Sequence, residues 1–410
     1  MKKIFFSLVA IAALAACTKS EVAYDDTPQE IGFVAVANNI TKAPVSGTTY
    51  PTNLNLYVNA YTKDVENSAT TPNYIANGEF THINTYGNIN TSATGNDAAT
   101  HVWGGGTSSD SRHPYYWPNE KTLHFSGYSK SGNIGATSNA ATASYNPSTD
   151  ELTITDYTPG TGFATIDGAT VTTANDLMWF PSTKYTKEAG YDKNTKYVPV
   201  NMYHTCSWIT FLVQGDAVTG NSTSTYTITE LKINGVDNTA NVVCTGNTLL
   251  QQNTIPDYVV WTNNTTQEET YTVTVHDNGV QLALTYSESS TQPKNLETGN
   301  TSNTGGNIVV IPQSLPFPTT TEGKTTYSGG PTITLKYKYE SPASTATNRV
   351  YIEETFSNLP LTIDSTTSAN NKWEPGKHYV YTITVKATEI LIAPTPIDWT
   401  AGTTGNVTVE

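Results

Sequence analysis

Seven histidines could supply metal ligands or a general base, but they stand at 82, 101, 113, 124, 204, 276 and 378. None pairs with another at ligand spacing, and there is no His-Glu-x-x-His pattern. His124 and His204 fall in strand-like runs and read as structural residues. The acidic doublets Asp25-Asp26, Glu268-Glu269 and Glu353-Glu354 stand alone, and adjacent carboxylates on a strand face opposite sides, so they read as solvated charges. Gly104-Gly105-Gly106 lacks the Lys-Ser/Thr of a phosphate-binding loop, and no Gly-x-Ser-x-Gly elbow occurs. The pattern points away from an enzyme and names no cofactor and no metal site. Tyr115-Tyr116-Trp117, with Trp103 upstream, could stack on sugar rings through its flat apolar faces. Core packing is the competing reading, because alternate strand residues point to opposite sides.

The cysteines carry a different chemistry. Lys2 and Lys3 head an apolar run, Ile4 to Ala13, too short to span a bilayer, which ends in Leu14-Ala15-Ala16-Cys17. This resembles a bacterial lipobox, in which cleavage leaves Cys17 first and its thiol takes a lipid thioether. An ordinary signal peptide with a chance cysteine is the alternative. Residues 1–16 are then the signal peptide and 17–30 a polar tether. Cys206 and Cys244 remain. Export permits a disulfide, but two cysteines make no framework, and two small buried thiols are the favoured reading.

These residues must be held by strands. The 410-residue chain is only 14% charged yet has 25 Tyr, 10 Phe and 7 Trp, a mixture that suits pleated sheets and not disorder. The net charge of −14 repels phosphate backbones, so nucleic acid is not a partner. Short apolar or alternating runs recur from Ile31–Ala37 to His378–Lys386, separated by Gly, Asn, Pro and Ser, with no sustained helical period after residue 16. Asn234-Gly235 and Asp277-Asn278-Gly279 read as hairpin turns. Asn88–Thr100, Ser129–Ala141 and Gln292–Gly306 read as surface loops. The charged stretch Lys184–Lys196 places a boundary between a domain at 31–197 and a second at 198–410. The fold class is all-β.

Several segments resemble a known family. Glu30-Ile31-Gly32-Phe33 and Thr41-Lys42-Ala43 come first, then Tyr115-Tyr116-Trp117-Pro118, Leu123-His124-Phe125 and Asn175-Asp176-Leu177-Met178. Val198-Pro199-Val200-Asn201-Met202-Tyr203-His204-Thr205-Cys206-Ser207 and Val310-Ile311-Pro312-Gln313 follow. Trp373-Glu374-Pro375-Gly376-Lys377-His378-Tyr379-Val380-Tyr381-Thr382-Ile383 and Asp398-Trp399 close the series. Their order resembles the fimbrillin family, pilins of the type V fimbriae of Gram-negative anaerobes. Two departures are Cys206, where the family often has Leu, and Trp208, where it has a basic residue. The resemblance implies two tandem β-sandwiches of transthyretin-like, Greek-key type. It implies an outer-membrane lipoprotein precursor, cut by an Arg/Lys-specific protease, that joins other pilin subunits in an extracellular fimbrium by strand exchange and supports adhesion. The alternative function is a monomeric or tip-located lipoprotein that binds glycans or host or bacterial surface ligands.

Lys42-Ala43 is the expected processing site, since Asn38–Thr49 is polar and contains Pro44. Ile31–Ala37 is apolar on both faces and reads as a strand inside a sheet, with Ile31, Phe33 and Ala35 displaced on cleavage. The expected donor is the C-terminal region, carried by Ile390, Ile392, Ile397, Trp399, Val407 and Val409, in two short segments on either side of Pro394 and Pro396. Replacing Cys17 by Ala is expected to abolish fatty-acid labelling of the protein; labelling that persists contradicts the anchor.

Overall fold

The computed structural model describes residues 29–37, 55–61, 73–84, 101–104, 115–118, 122–130, 142–159, 163–164, 176–187, 198–215, 225–246, 252–263, 268–273, 282–285, 294–295, 307–340, 351–364, 366–385 and 390–398. Its elements are almost all strands, and they form sandwiches. The first sheet runs in the order β1 (Phe33–Ala37), β10 (Val198–His204), β9 (Leu177–Thr186), β5 (Thr122–Lys130), β2 (Asn55–Tyr61), β3 (Asn73–Asn84), β4 (His101–Gly104). A second sheet runs β14 (Val259–Asn263), β13 (Ala240–Thr245), β7 (Glu151–Tyr157), β6 (Thr142–Asn146). The third runs β24 (Ile390–Asp398), β23 (Lys377–Val385), β11 (Ser207–Gly215), β18 (Asn307–Val310), β8 (Phe163–Ala164), with β17 (Lys294–Asn295) also on β11. The fourth runs β15 (Glu268–Val273), β12 (Thr225–Asp237), β21 (Thr332–Glu340), β22 (Tyr351–Pro360), with β16 (Leu282–Thr285) also on β12. A separate hairpin joins β19 (Phe317–Thr321) to β20 (Lys324–Ser328) through Glu322-Gly323, both at positive φ as a tight primed turn requires.

Period-two alternation assigns side chains to cores. On β9, Leu177 and Trp179 enter one cluster with Tyr157, Tyr203, Val242 and Cys244, so the first sheet packs on the second. Met178 and Phe180 point the other way, into a cluster with Phe33, Leu56, Phe125, Val200 and Met202. The third and fourth sheets enclose the remaining core, with Ile209, Phe211 and Ile383 facing Ile233, Leu335 and Tyr337. A proline in the middle of β9 is accommodated by a bulge: Phe125 pairs with Thr183 but Gly127 with Phe180, which leaves Pro181 outside the ladder. Gly127 is required there, since a Cβ would lie 2.1 Å from the Tyr57 carbonyl oxygen.

Strand pairing crosses the boundary expected at residue 198. β10, expected to open the second domain, lies in the first sheet between β1 and β9. The chain changes sheets just after it, at Thr205-Cys206, where the backbone bends at Cys206 between β10 and β11. The hairpin β13–β14 also returns to the first sandwich, where β13 pairs with β7. Asn234-Gly235 makes no hairpin; β12 runs through it, with a bulge against β15 and Gly235 at φ 71°. Asp277–Gly279 lies outside the described residues, as do the three loop-like segments apart from the end of β5 and β17.

The crossing is densely bonded. His204 Nδ1 lies 2.5 Å from Asp176 Oδ2, with both side chains fully buried. Thr205 donates from N–H and from Oγ1 to the Leu177 carbonyl (2.9 and 2.8 Å), and its own carbonyl accepts from Trp261 Nε1 at 2.8 Å. Gly376 N–H donates to the Cys206 carbonyl and Ser207 Oγ to the Glu374 carbonyl, each at 2.8 Å.

On the strand after the crossing, Trp208 finds its partner in His378 of β23, stacked with centroids 3.6 Å apart and planes 7° from parallel. His378 Nε2 is 2.9 Å from Thr210 Oγ1, and burial pushes the imidazole down from 6.5 to about 3. Its folded pKa is therefore below the unfolded one. The stabilisation is complete above pH 6.5 and is lost as the pH falls toward 3, where only the unfolded chain takes up the proton. The expected cost reaches about 1.4 kcal/mol per pH unit within that window. His378→Phe, which keeps a ring on Trp208, should flatten the fall in denaturant midpoint between about pH 6 and 4.5, a range above most carboxylate titration; an unchanged slope contradicts the assignment.

Candidate functional site

The candidate site is the N-terminal edge of the first sheet and what surrounds it. Among the described residues β1 pairs in parallel with β10 alone, from Phe33 opposite Val198 to Ala37 opposite Met202. The strand expected inside a sheet is thus an edge strand. Its apolar sequence has another cause: Ile31 and Phe33 are 1% and 2% exposed in the core, and core burial says nothing about what lies beside the strand. Phe33 meets Phe125 edge-to-face at 5.4 Å. Burying two such side chains contributes roughly 1.5–3 kcal/mol each.

The segment before β1 is held by the aromatic run Tyr115-Tyr116-Trp117. Ile31 N–H donates to the Tyr115 carbonyl and Trp117 N–H to the Gln29 carbonyl, each at 2.8 Å, and Val198 N–H donates to the Gly32 carbonyl at 2.8 Å. Trp117 is buried, edge-on to Phe125 at 5.7 Å and tilted against Tyr185 at 5.7 Å. Tyr116 alone of the three is exposed. The run therefore packs and clamps, and it offers no continuous aromatic platform; the side chain of Trp103 lies outside what is described. Sequence reading missed this clamp. Its signal was the alternation of Tyr115 and Trp117, compatible with one strand face.

At the other end of the chain, Ile390, Ile392 and Ile397 lie in β24, opposite Val385, Ile383 and His378 of β23. The strand is one continuous ladder from Ile390 to Asp398 and not two segments split by prolines. Pro394 and Pro396 are two apart, so their nitrogens face the same side, and an edge strand can turn that side away from its neighbour. Cys17, Lys42, Ala43, Trp399, Val407 and Val409 lie outside the described residues, and of Ala35 only the backbone pairing with Val200 is described.

Among the described residues the groups the sequence singles out form no catalytic arrangement. His124 stacks on Tyr61 at 5.3 Å, His204 binds Asp176, and His378 stacks on Trp208. Among the described residues no group of three or more His, Cys, Asp or Glu could hold a metal ion.

The sequence matches no family model and no curated protein. Its fold has relatives among solved structures. A fimbrial protein from Bacteroides vulgatus matches with a TM-score of 0.50 at 16% identity, over 91% of this chain and 100% of that one. Chains provisionally assigned to cell adhesion match at lower scores: one from Bacteroides uniformis (TM-score 0.39, 12% identity, 90% and 98% covered) and one from Parabacteroides distasonis (0.41, 11%, 91% and 99%). At 16% identity the first likeness is one of fold: an all-β chain of the same architecture.

Cys206 and Cys244 are buried, unbridged thiols in the core between the first two sheets. Burial pushes both well above their usual range, so neither is a thiolate nucleophile. Alkylation without reductant should leave both unmodified in the folded protein and modify both in denaturant. Modification only after reduction shows a bridge.

Proposed function

We propose that this chain is a fimbrillin-type pilin subunit, exported as a lipoprotein on Cys17 and assembled by strand exchange after cleavage at Lys42-Ala43. The observation that carries the reading is the position of β1. Among the described strands it is an apolar edge strand with one neighbour, so its loss breaks only its ladder with β10 and the short clamp to Tyr115 and Trp117. Loss of residues 29–37 would vacate the places of Ile31 and Phe33 and leave the outer edge of β10 unpaired, a state that demands another strand. An incoming strand would take generic affinity from main-chain hydrogen bonds and register from the vacated pockets. The fold shared with a fimbrial protein supports the same reading.

The donor is the C-terminal region of a second subunit. In the uncut chain residues 390–398 occupy the edge of their own sheet, so donation requires either that β24 leaves β23 or that residues 399–410 act on their own. Each subunit would then offer its tail to the next, a head-to-tail contact that grows a fibre. On this reading the chain is a cell-surface and then extracellular structural protein, not an enzyme, with other pilin subunits and an Arg/Lys-specific protease as partners. Its two sandwiches act as one subunit, with the junction at Thr205-Cys206 in place of residue 198.

A chain beginning at Ala43 should form filaments in electron micrographs, whereas one beginning at Thr18 should stay monomeric until cut by trypsin. Deleting residues 400–410, or placing Asp at Ile390 and Ile392, should leave a soluble fold without filaments. Filaments from both tail variants, equal to the parent's, would place the donor elsewhere.

A further inference from the structure

A cleft of about 590 Å³ lies where β14 meets the segments around Gln313 and Trp373, with no residue of β1 or β24 in its lining. Its polar floor is built, not incidental. Asp237 is 6% exposed; its Oδ2 accepts from Asn263 Nδ2 at 2.6 Å, and its N–H donates to Gln313 Oε1 at 3.0 Å. Asn263 Nδ2 also donates to the Pro312 carbonyl at 3.0 Å, and Gln313 Nε2 to the Gly235 carbonyl at 3.3 Å. These bonds commit both donor hydrogens of Asn263 and one of Gln313. The second Asp237 oxygen and Asn263 Oδ1 are left as acceptors with no donor among the described residues.

One wall is Trp261, half-buried on β14. Its Nε1–H bond to the Thr205 carbonyl and its tilted contact with Tyr157 at 5.8 Å fix the plane of the indole. Beside it Val260 is 58% exposed. Lys372 stands at the rim, paired with Glu374 at 3.4 Å and with its side chain 47% exposed.

The volume falls in the range of small-molecule sites. The charges narrow the class. An anion would meet the Asp237 carboxylate and a cation the Lys372 ammonium. A wholly apolar ligand would strip water from Asp237 without replacing it, at a cost above the roughly 1–3 kcal/mol of a neutral group. A neutral ring with hydroxyls on its rim and C–H bonds on its faces meets every demand. Its hydroxyls donate to Asp237 and Asn263 and accept from Lys372, while one face lies on the indole. We propose that this cleft binds a neutral saccharide, independently of strand exchange.

The test uses the uncut chain with Cys17 replaced by Ser. Saturation-transfer NMR is run against galactose, mannose, N-acetylglucosamine and lactose. At least one should bind saturably, with a dissociation constant on the order of 1 mM, as befits one open site with few contacts. Trp261→Ala and Asp237→Asn should each weaken it about tenfold or more. Tyr116→Ala, at an exposed aromatic outside the cleft, should leave it unchanged. If thermal unfolding shows that either cleft variant is misfolded, Lys372→Ala, at an exposed position, should still weaken binding severalfold. No saturable binding to any of the four sugars overturns the proposal. Binding unaffected by the cleft variants, or lost in Tyr116→Ala, overturns it equally.

Discussion

Between His204 and Ser207 the backbone passes from one sandwich into the other, and its polar groups there are buried away from water. Each such group must find a partner or cost the fold its desolvation. Leu177, Trp261 and Gly376 partner the Thr205 and Cys206 backbone, while Asp176 and the Glu374 carbonyl take the side chains of His204 and Ser207. They come from three separate stretches of sequence, so the crossing can form only when both sandwiches are largely in place. Three of the segments whose likeness to fimbrillins is visible in the sequence, around Asp176, His204 and Glu374, converge on this point. Their spacing along the chain serves one junction, not three separate tasks.

The same junction explains how β1 can be both well packed and expendable. β10 is the strand that enters the crossing, and His204 and Thr205 pin its end through Asp176 and Leu177. β10 therefore keeps an anchor on the β9 side when its β1 partner is gone. Two other sheet edges carry protection against foreign strands. β22 exposes Glu353 and Glu354, and β24 carries two prolines whose missing N–H groups cannot join a further ladder. β1 carries neither device. Under its covering strand, Val198, Val200 and Met202 are buried apolar residues of β10.

Much of this was legible in the sequence. Alternating apolar runs located β2, β5, β7, β11, β12, β21 and β23, because their inward residues are aliphatic or aromatic. Polar strands escaped notice. β3, β6 and the β19–β20 hairpin are rich in Thr, Asn and Ser, and β6 and β20 bury little that a hydrophobic pattern could reveal. Edge position was illegible for β1, since a strand of apolar sequence reads alike at the rim or the centre of a sheet. The sheet change at Thr205-Cys206 was hidden by an unbroken strand-like run. The exposed cleft beside Trp261 was also invisible, because Asp237, Asn263 and Gln313 meet only through the return of the β13–β14 hairpin.

The central claim is that β1 can leave while the rest of the fold stands. Hydrogen exchange measured by mass spectrometry tests it in a chain beginning at Ala43, held monomeric at low concentration. Amides of residues 198–202 should lose protection relative to the uncut chain, while those of residues 207–215 and 377–385 keep theirs. Unchanged protection at 198–202 would mean that β1 does not cover that edge, and loss across all three segments would mean that β1 is integral to the fold; either result contradicts the claim.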